Sequence, residues 1–297
     1  MPSQRQLKSR IRSVKNTKQI TKAMELVAAS KMRKATEAAH RGRAYREYAH
    51  GMLARLGTVT EINDHPLYVE RAVKSRLYIA VTSNSGLAGA YDANIIKLLT
   101  KALQSDRENS VKSTVIMIGK KGANFVRRVE GVEVIGVYND FSDHPTANDI
   151  RPILDTIVEL YRTEQTDQVQ MFYTLHKSSI VQTPLSLPIL PAKFNEEKAE
   201  KSDDKDTEIE TLADVTFEPS VTEVLENVTE RLLEVQIWQA LLESIASEQS
   251  MRMLSMKNAT DNASDIIDDL TLAFNTARQG KITQELAEIT GGAEAMK

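Results

Sequence analysis

The stretch "VTSNSGLAGAYDANIIKLL", residues 81–99, is the place where residue types and spacing could hold a phosphate. A β-branched run leads into a turn with Gly86 and Gly89, then into a helical pattern whose first free N–H groups could face an anion. The match is incomplete. The stretch is neither G-x-G-x-x-G nor G-x-x-x-x-G-K-[ST], and the first lysine after Gly89 is Lys97, too deep in the helix to reach a phosphate at its start. Gly86 and Gly89 are therefore expected to serve a tight turn and close helix-to-strand packing, with a nucleotide-dependent enzyme as the lesser reading. In "IGKKGANFVRR", Lys120, Lys121, Arg127 and Arg128 are expected to form a solvated face or a subunit contact. The five histidines, His40, His50, His65, His144 and His176, have no metal-ligand spacing and read as surface or loop residues. The absence of cysteine excludes disulfides, thiol nucleophiles and Cys-ligated zinc. No nucleophile–base pair or paired carboxylates stand out, so the sequence points to no catalytic residue, cofactor or metal.

The elements around these residues are more informative. No Gly or Pro falls between Pro2 and Gly42, and Leu7, Ile11, Val14, Lys18, Thr21, Glu25, Ala28, Met32, Ala35 and Ala39 follow alternating steps of four and three. That spacing is a helix seam, although Lys18, Thr21 and Glu25 make its middle polar. A more apolar line through Ile20, Met24 and Val27 lies beside it. The helix is expected from about Ser3 into the region between Gly51 and Gly57.

The other end of the chain repeats the pattern over a greater length. From Val221, the positions Leu225, Val228, Leu232, Val235, Gln239, Leu242, Ala246, Gln249, Met253, Met256, Thr260, Ala263, Ile267, Leu270, Phe274 and Ala277 alternate steps of four and three. At 1.5 Å per residue this seam is roughly 84 Å long, and a helix of that length must lie along another. Met251, Met253 and Met256 cluster there; packing is their default role, though Met also suits surfaces that repack against several partners.

Charge supports pairing of the two ends. The net charge of -3 hides an asymmetry: residues 1–50 carry 13 Lys and Arg against three acids, while residues 216–278 carry 11 acids against four bases. An antiparallel hairpin would bring the two together, with exposed ion pairs of about 0.2–1 kcal/mol each setting register more than stability. A basic arm could otherwise meet nucleic acid or an anionic membrane surface, which is the alternative from another class.

Between the seams the period changes. "RLYIAVTS", "STVIMIG", "VEVIGVY" and "DQVQMFYTL" are short strand-like runs separated by helix-like segments near 92–105, 120–129 and 146–161. Alternating strand and helix predicts a largely parallel sheet in a Rossmann-like α/β domain. "SSIVQTPLSLPILP", with three prolines, is expected to be an edge strand or a wrapping arm. Residues 195–210, with eight acids and three lysines, read as a solvated loop. The expected organisation is 1–73 as N-terminal coiled-coil helix and connector, 74–194 as central α/β domain, 195–215 as acidic loop and 216–297 as C-terminal coiled-coil helix. There is no apolar run of the roughly 18–20 residues a membrane span needs and no signal-peptide core, so a cytosol-like compartment is expected.

"LKSRIRSVKNTKQITKAMELVAASKMRKA", "SEQSMRMLSMKNATDNASD" and "NTARQGKITQELAEITGGAEAM" closely resemble the two terminal helices of gamma subunits of F-type proton-translocating ATP synthases. "SGLAG" and "VIMIGKKGANFVRR" are similar to that family's α/β domain, so the likeness spans nearly the whole chain. The family usually has Asp-Arg before the glycine and Cys between Leu and Gly, where this chain has Asn84, Ser85 and Ala88. The resemblance implies a non-catalytic rotor. Its antiparallel coiled coil would stand inside a ring of alpha and beta subunits, its α/β domain would sit with the epsilon subunit on the c-ring, and its turning would couple proton flow to the beta-subunit catalytic sites. It further implies beta-subunit contacts at Lys22, Met24, Arg252, Arg278, Gln279 and Thr283, with residues 282–296 as the tip in the upper bearing. The implied location is peripheral, on the cytoplasmic face of a bacterial plasma membrane.

Overall fold

The computed structural model describes residues 3–59, 65–139, 141, 145–192 and 220–295. The chain divides into two units, Met1–Ala29 with Arg252–Lys297, and Ser30–Met251. The acidic stretch 195–210 lies outside the described residues.

Two long helices belong to both units: α1 (Gln4–Val59) and α5 (Val221–Ala295). Between them in sequence come β1 (Ser75–Val81), α2 (Tyr91–Glu108), β2 (Lys112–Ile118), α3 (Lys120–Val126), β3 (Glu133–Tyr138), α4 (Ala147–Arg162), β4 (Gln168–His176) and β5 (Gln182–Leu190). The strands form one five-stranded sheet in the order β3-β2-β1-β4-β5. β1 pairs in parallel with β2 and β4, β2 pairs in parallel with β3, and β5 runs antiparallel beside β4.

Each face of the sheet has its own core, because the central strands are apolar on both sides. Leu77, Ile79 and Val81 of β1 pack with Ile150, Ile153 and Ile157 of α4 and with Leu233, Ile237 and Leu241 of α5. Tyr78 and Ala80 face the other way, onto Ile95 and Leu99 of α2 and Ala123 of α3. Burying each such large side chain contributes roughly 1.5–3 kcal/mol, so the N-terminal third of α5 is part of the domain core as well as of a coil. α4 begins with a capping box in which the Asp149 carboxylate accepts from the Thr146 N–H at 2.7 Å and its hydroxyl at 2.9 Å. Those bonds hold the Asp149 carboxyl below its usual range.

β5 is the predicted edge strand, with Pro184 and Pro188 opposite Thr174 and Gln170. His65 lies in the loop before β1, as a surface or loop histidine would, but it is buried there. It is 9% exposed, its Nδ1 accepts from the Leu67 N–H at 3.3 Å, and burial pushes its pKa down.

Gly119, between β2 and α3, has φ +98, and a Cβ there would stand 2.1 Å from the Thr82 carbonyl oxygen. The obstructing atom is backbone held in the sheet, so it cannot swing away. Gly119→Ala is expected to cost roughly 2–5 kcal/mol, read as a fall in the denaturant midpoint at unchanged slope.

Candidate functional site

In an open α/β sheet the ligand crevice lies beyond the carboxyl ends of the strands, where the connections change direction. Here that point falls between β1 and β4, whose pairing ends at Ala80 and Phe172. Thr174 then lies opposite Pro184, which has no N–H to give, so its own N–H and carbonyl turn to the side that β1 has left. Two serines of α5 fill the vacancy: the Thr174 N–H donates to Ser244 Oγ at 3.2 Å, and Ser247 Oγ donates to the Thr174 carbonyl at 3.0 Å. Ser244 also meets the Tyr91 hydroxyl at 2.8 Å. One turn on, Ser250 Oγ donates to the Ser179 carbonyl at 2.7 Å and accepts from Gln182 Nε2 at 3.1 Å. All three serines are fully buried. The crevice that would receive a nucleotide is plugged by the chain's own helix.

The Gly86–Gly89 turn is likewise committed to structure. Asp92 Oδ1 accepts from the Ser83 N–H at 2.8 Å, and Asp92 Oδ2 from the Ser83 hydroxyl at 2.7 Å. An acidic group thus occupies the first turn of α2, where an anion would have to bind. Asn84 uses both ends of its amide, donating to the Asn139 carbonyl at 2.8 Å and accepting from the Lys120 N–H at 3.1 Å. An aspartate could make only the second of these bonds. Leu87 is 60% exposed with φ 66, an unusual backbone region for a bulky residue. Lys120, Lys121, Arg127 and Arg128 are exposed. Among the described residues there is no group of His, Cys, Asp or Glu that could hold a metal, and no helix long and apolar enough to cross a membrane.

The other candidate surface is the coil formed by residues 3–29 and 252–295. Gln4 Nε2 donates to the Ala277 carbonyl at 3.3 Å, and Thr260 Oγ1 donates to Thr21 Oγ1 at 2.8 Å. Seventeen residues separate Gln4 from Thr21, and seventeen separate Thr260 from Ala277, so the helices run antiparallel without a slip. That register sets Leu7 opposite Phe274, Ile11 opposite Leu270, Val14 opposite Ile267 and Lys18 opposite Ala263. The Thr21 hydroxyl donates in turn to the Lys18 carbonyl at 3.1 Å, so the polar middle of the seam is hydrogen-bonded within the pair. Glu25, opposite Met256, turns its carboxylate to Lys22 Nζ at 2.9 Å.

The coil's outer face is where the apolar residues are left without cover. Ile20, Leu26 and Val27 are more than half exposed, as are Leu272, Leu286 and Ile289 on α5. Such a row on a helix is a candidate for a surface that another molecule would cover. Beyond Ala277, level with the first turn of α1, every described side chain of α5 through residue 293 is exposed.

The six residues singled out from the sequence do not form one cluster. Lys22 is exposed and Met24 half-buried on α1; Arg278, Gln279 and Thr283 are exposed on the last part of α5, where the Thr283 hydroxyl donates to the Gln279 carbonyl at 3.0 Å. Arg252 is 8% exposed and offers a neighbour little surface. Arg252 and Thr283 lie 31 residues apart on one continuous helix, roughly 46 Å along its axis. The serine row and Leu26 were not singled out by the sequence; the only available signal was Ser244, Ser247 and Ser250 at helical spacing, which reads equally well as a solvated face.

A family model described as ATP synthase matches residues 3–296. The chain is 38% identical over 297 residues, the full length of both proteins, to the ATP synthase gamma chain of Pelotomaculum thermopropionicum. It is 35% identical over 296 residues, again the full length of both, to the ATP synthase gamma chain of Psychrobacter arcticus. Among solved structures, it is similar to a chain of the Euglena gracilis mitochondrial ATP synthase, OSCP/F1/c-ring, in rotational state 3, with TM-score 0.65 and 20% identity over 99% of this chain and 94% of that one. It also resembles a chain of the Tetrahymena thermophila mitochondrial ATP synthase central stalk/c-ring, with TM-score 0.56 and 22% identity over 81% of this chain and 99% of that one. The match over the full length of the chain places it in the ATP synthase gamma-chain family.

Proposed function

We propose that this chain turns as the central shaft of an F-type ATP synthase, standing inside a ring of alpha and beta subunits, with its α/β domain seated with the epsilon subunit on the c-ring. The chain is the non-catalytic gamma subunit, and its coil couples proton flow to conformational change at the beta-subunit sites. The observation that carries this reading is the outer face of the coil. It leaves Ile20, Leu26 and Val27 uncovered while the polar residues of the seam are satisfied inside the pair. A shaft of this kind needs no nucleotide of its own. It needs only to favour a different beta conformation at each angle, and its differential contacts set how far each equilibrium shifts. The complex holds it peripherally at the membrane, which we assign to the cytoplasmic face of a bacterial plasma membrane.

Lys22, Met24, Arg278, Gln279 and Thr283 are the proposed direct contacts with beta subunits. Arg252 is proposed as a contact too, through the 8% of its surface that is exposed in the free chain. Arg278→Ala and Gln279→Ala should leave the melting temperature of the isolated chain within about 1 °C, since exposed substitutions away from special features stay within about 0.5 kcal/mol. Each should slow coupled turnover of the assembled complex roughly fivefold, the effect of about 1 kcal/mol. Equal loss of stability and turnover would make these residues merely structural.

A further inference from the structure

We propose that Ser244, Ser247 and Ser250 form a torque clutch, the place where rotation of the α/β domain is handed to α5. The boundary between the two units falls between Met251 and Arg252, one residue beyond Ser250. Torque passing along α5 must therefore cross this turn of helix. Earlier in α5, Leu233, Ile237 and Leu241 hold the helix to the sheet by apolar contact. Such contact resists separation and, through its interlocked shapes, turning, but it has no directional bonds of its own to fix the angle of the helix.

The serine row is directional. Ser244, Ser247 and Ser250 stand three residues apart, on a strip that lies across three elements of the domain. The first grips α2 through the Tyr91 hydroxyl and β4 through the Thr174 N–H. The second grips β4 through the Thr174 carbonyl, and the third grips the Ser179 carbonyl between β4 and β5 and the Gln182 side chain. Because the Cα atoms of a helix lie about 2.3 Å from its axis, a turn of about 20° displaces each by roughly 0.8 Å and its hydroxyl by more, enough to spoil these bonds. Both backbone groups of Thr174 would then be left unpaired in a buried position. The row thus fixes the azimuth of α5 relative to the sheet, as positioning residues that act through the shaft. Their small size lets the helix approach the strand end closely enough for this.

The inference rests on the rotor function. Its test uses the assembled complex in membrane vesicles, with Ser244→Ala/Ser247→Ala/Ser250→Ala as the main variant. ATP hydrolysis and ATP-driven proton uptake are measured against an opposing pH gradient, where torque is highest. Ile157→Ala, in α4 of the same core, is the control for lost stability. Protons moved per ATP should fall at least about twofold in the triple variant, because several directional bonds are lost together, while the Ile157→Ala complex melts earlier with its ratio unchanged. An unchanged ratio in the triple variant overturns the proposal, as does an equal fall in the control. Should the triple variant not assemble, Ser250→Ala alone is judged by the same ratio. A wild-type complex that contains this chain and hydrolyses ATP without proton uptake would contradict the rotor function itself, a result distinct from failure of the clutch.

Discussion

Leu26→Glu combined with Val27→Glu is expected to leave the isolated chain folded and to abolish its assembly with alpha and beta subunits. Both side chains are more than half exposed in this chain, and Glu is as good a helix former as Leu, so the intrinsic cost stays under about 1 kcal/mol. The helix also lies in the basic arm of the chain, where added acids relieve like-charge repulsion. In the proposed complex the same residues would face a neighbour. Burying an unpaired carboxylate against an apolar surface costs several kcal/mol per ion, so two of them should weaken assembly by about a thousandfold or more. Circular dichroism of the isolated chain and size-exclusion of the mixture with alpha and beta subunits give the two readings. A variant that assembles and hydrolyses ATP as the wild type does would show that this face is not a contact.

The largest loss of stability is expected at Asp106. Its side chain is 1% exposed, at the end of α2, and accepts from Arg76, from the Tyr78 hydroxyl at 2.7 Å and from Ser113 Oγ at 2.8 Å. Arg76 also donates to Gln168 Oε1 at 2.7 Å, so the cluster ties α2, β1, β2 and β4 together. Burial, with the neighbouring carboxylate, keeps the Tyr78 hydroxyl protonated far above its usual range. Asp106→Ala leaves a guanidinium and two hydroxyls without their acceptor, at an expected cost of about 3–5 kcal/mol. For a chain of this size the melting temperature should fall by roughly 10 °C. Asp106→Asn keeps an acceptor oxygen and should cost less. A melting temperature within about 2 °C of wild type for the alanine variant would show that the network adds little.

The seams were the most legible part of the fold, because a pairing surface repeats with the helix and the repeat survives polar substitutions. Every described seam position, from Leu7 to Ala39 and from Leu225 to Ala277, is buried or half-buried, including Lys18, Thr21 and Gln239. The apolar line beside the first seam showed itself too, but its direction did not. Ile20 and Val27 face outward, because the pair closes on Thr21 and Thr260 instead. Alternating strand and helix gave the parallel sheet, and the prolines of β5 marked its edge. The plugged crevice was not legible. Its cause is the point where β1 parts from β4 and leaves Thr174 unpaired, and register between distant strands carries no local signal. The serines that answer it look like any solvent-facing serines at helical spacing. Asn84 is a related case: as a departure from the family's usual residue it raised a question, and the distances to Asn139 and Lys120 give it a structural role that an aspartate could not fill.

Whether this chain turns inside the complex is tested directly by watching it rotate. The complex of this chain with the alpha and beta subunits of its own organism is fixed to a surface through the beta subunits, with a bead attached to the α/β domain. On addition of ATP the bead should turn continuously in one direction and stop when hydrolysis is inhibited. Steady ATP hydrolysis by a complex that contains this chain, with the bead firmly attached and still, would contradict the account.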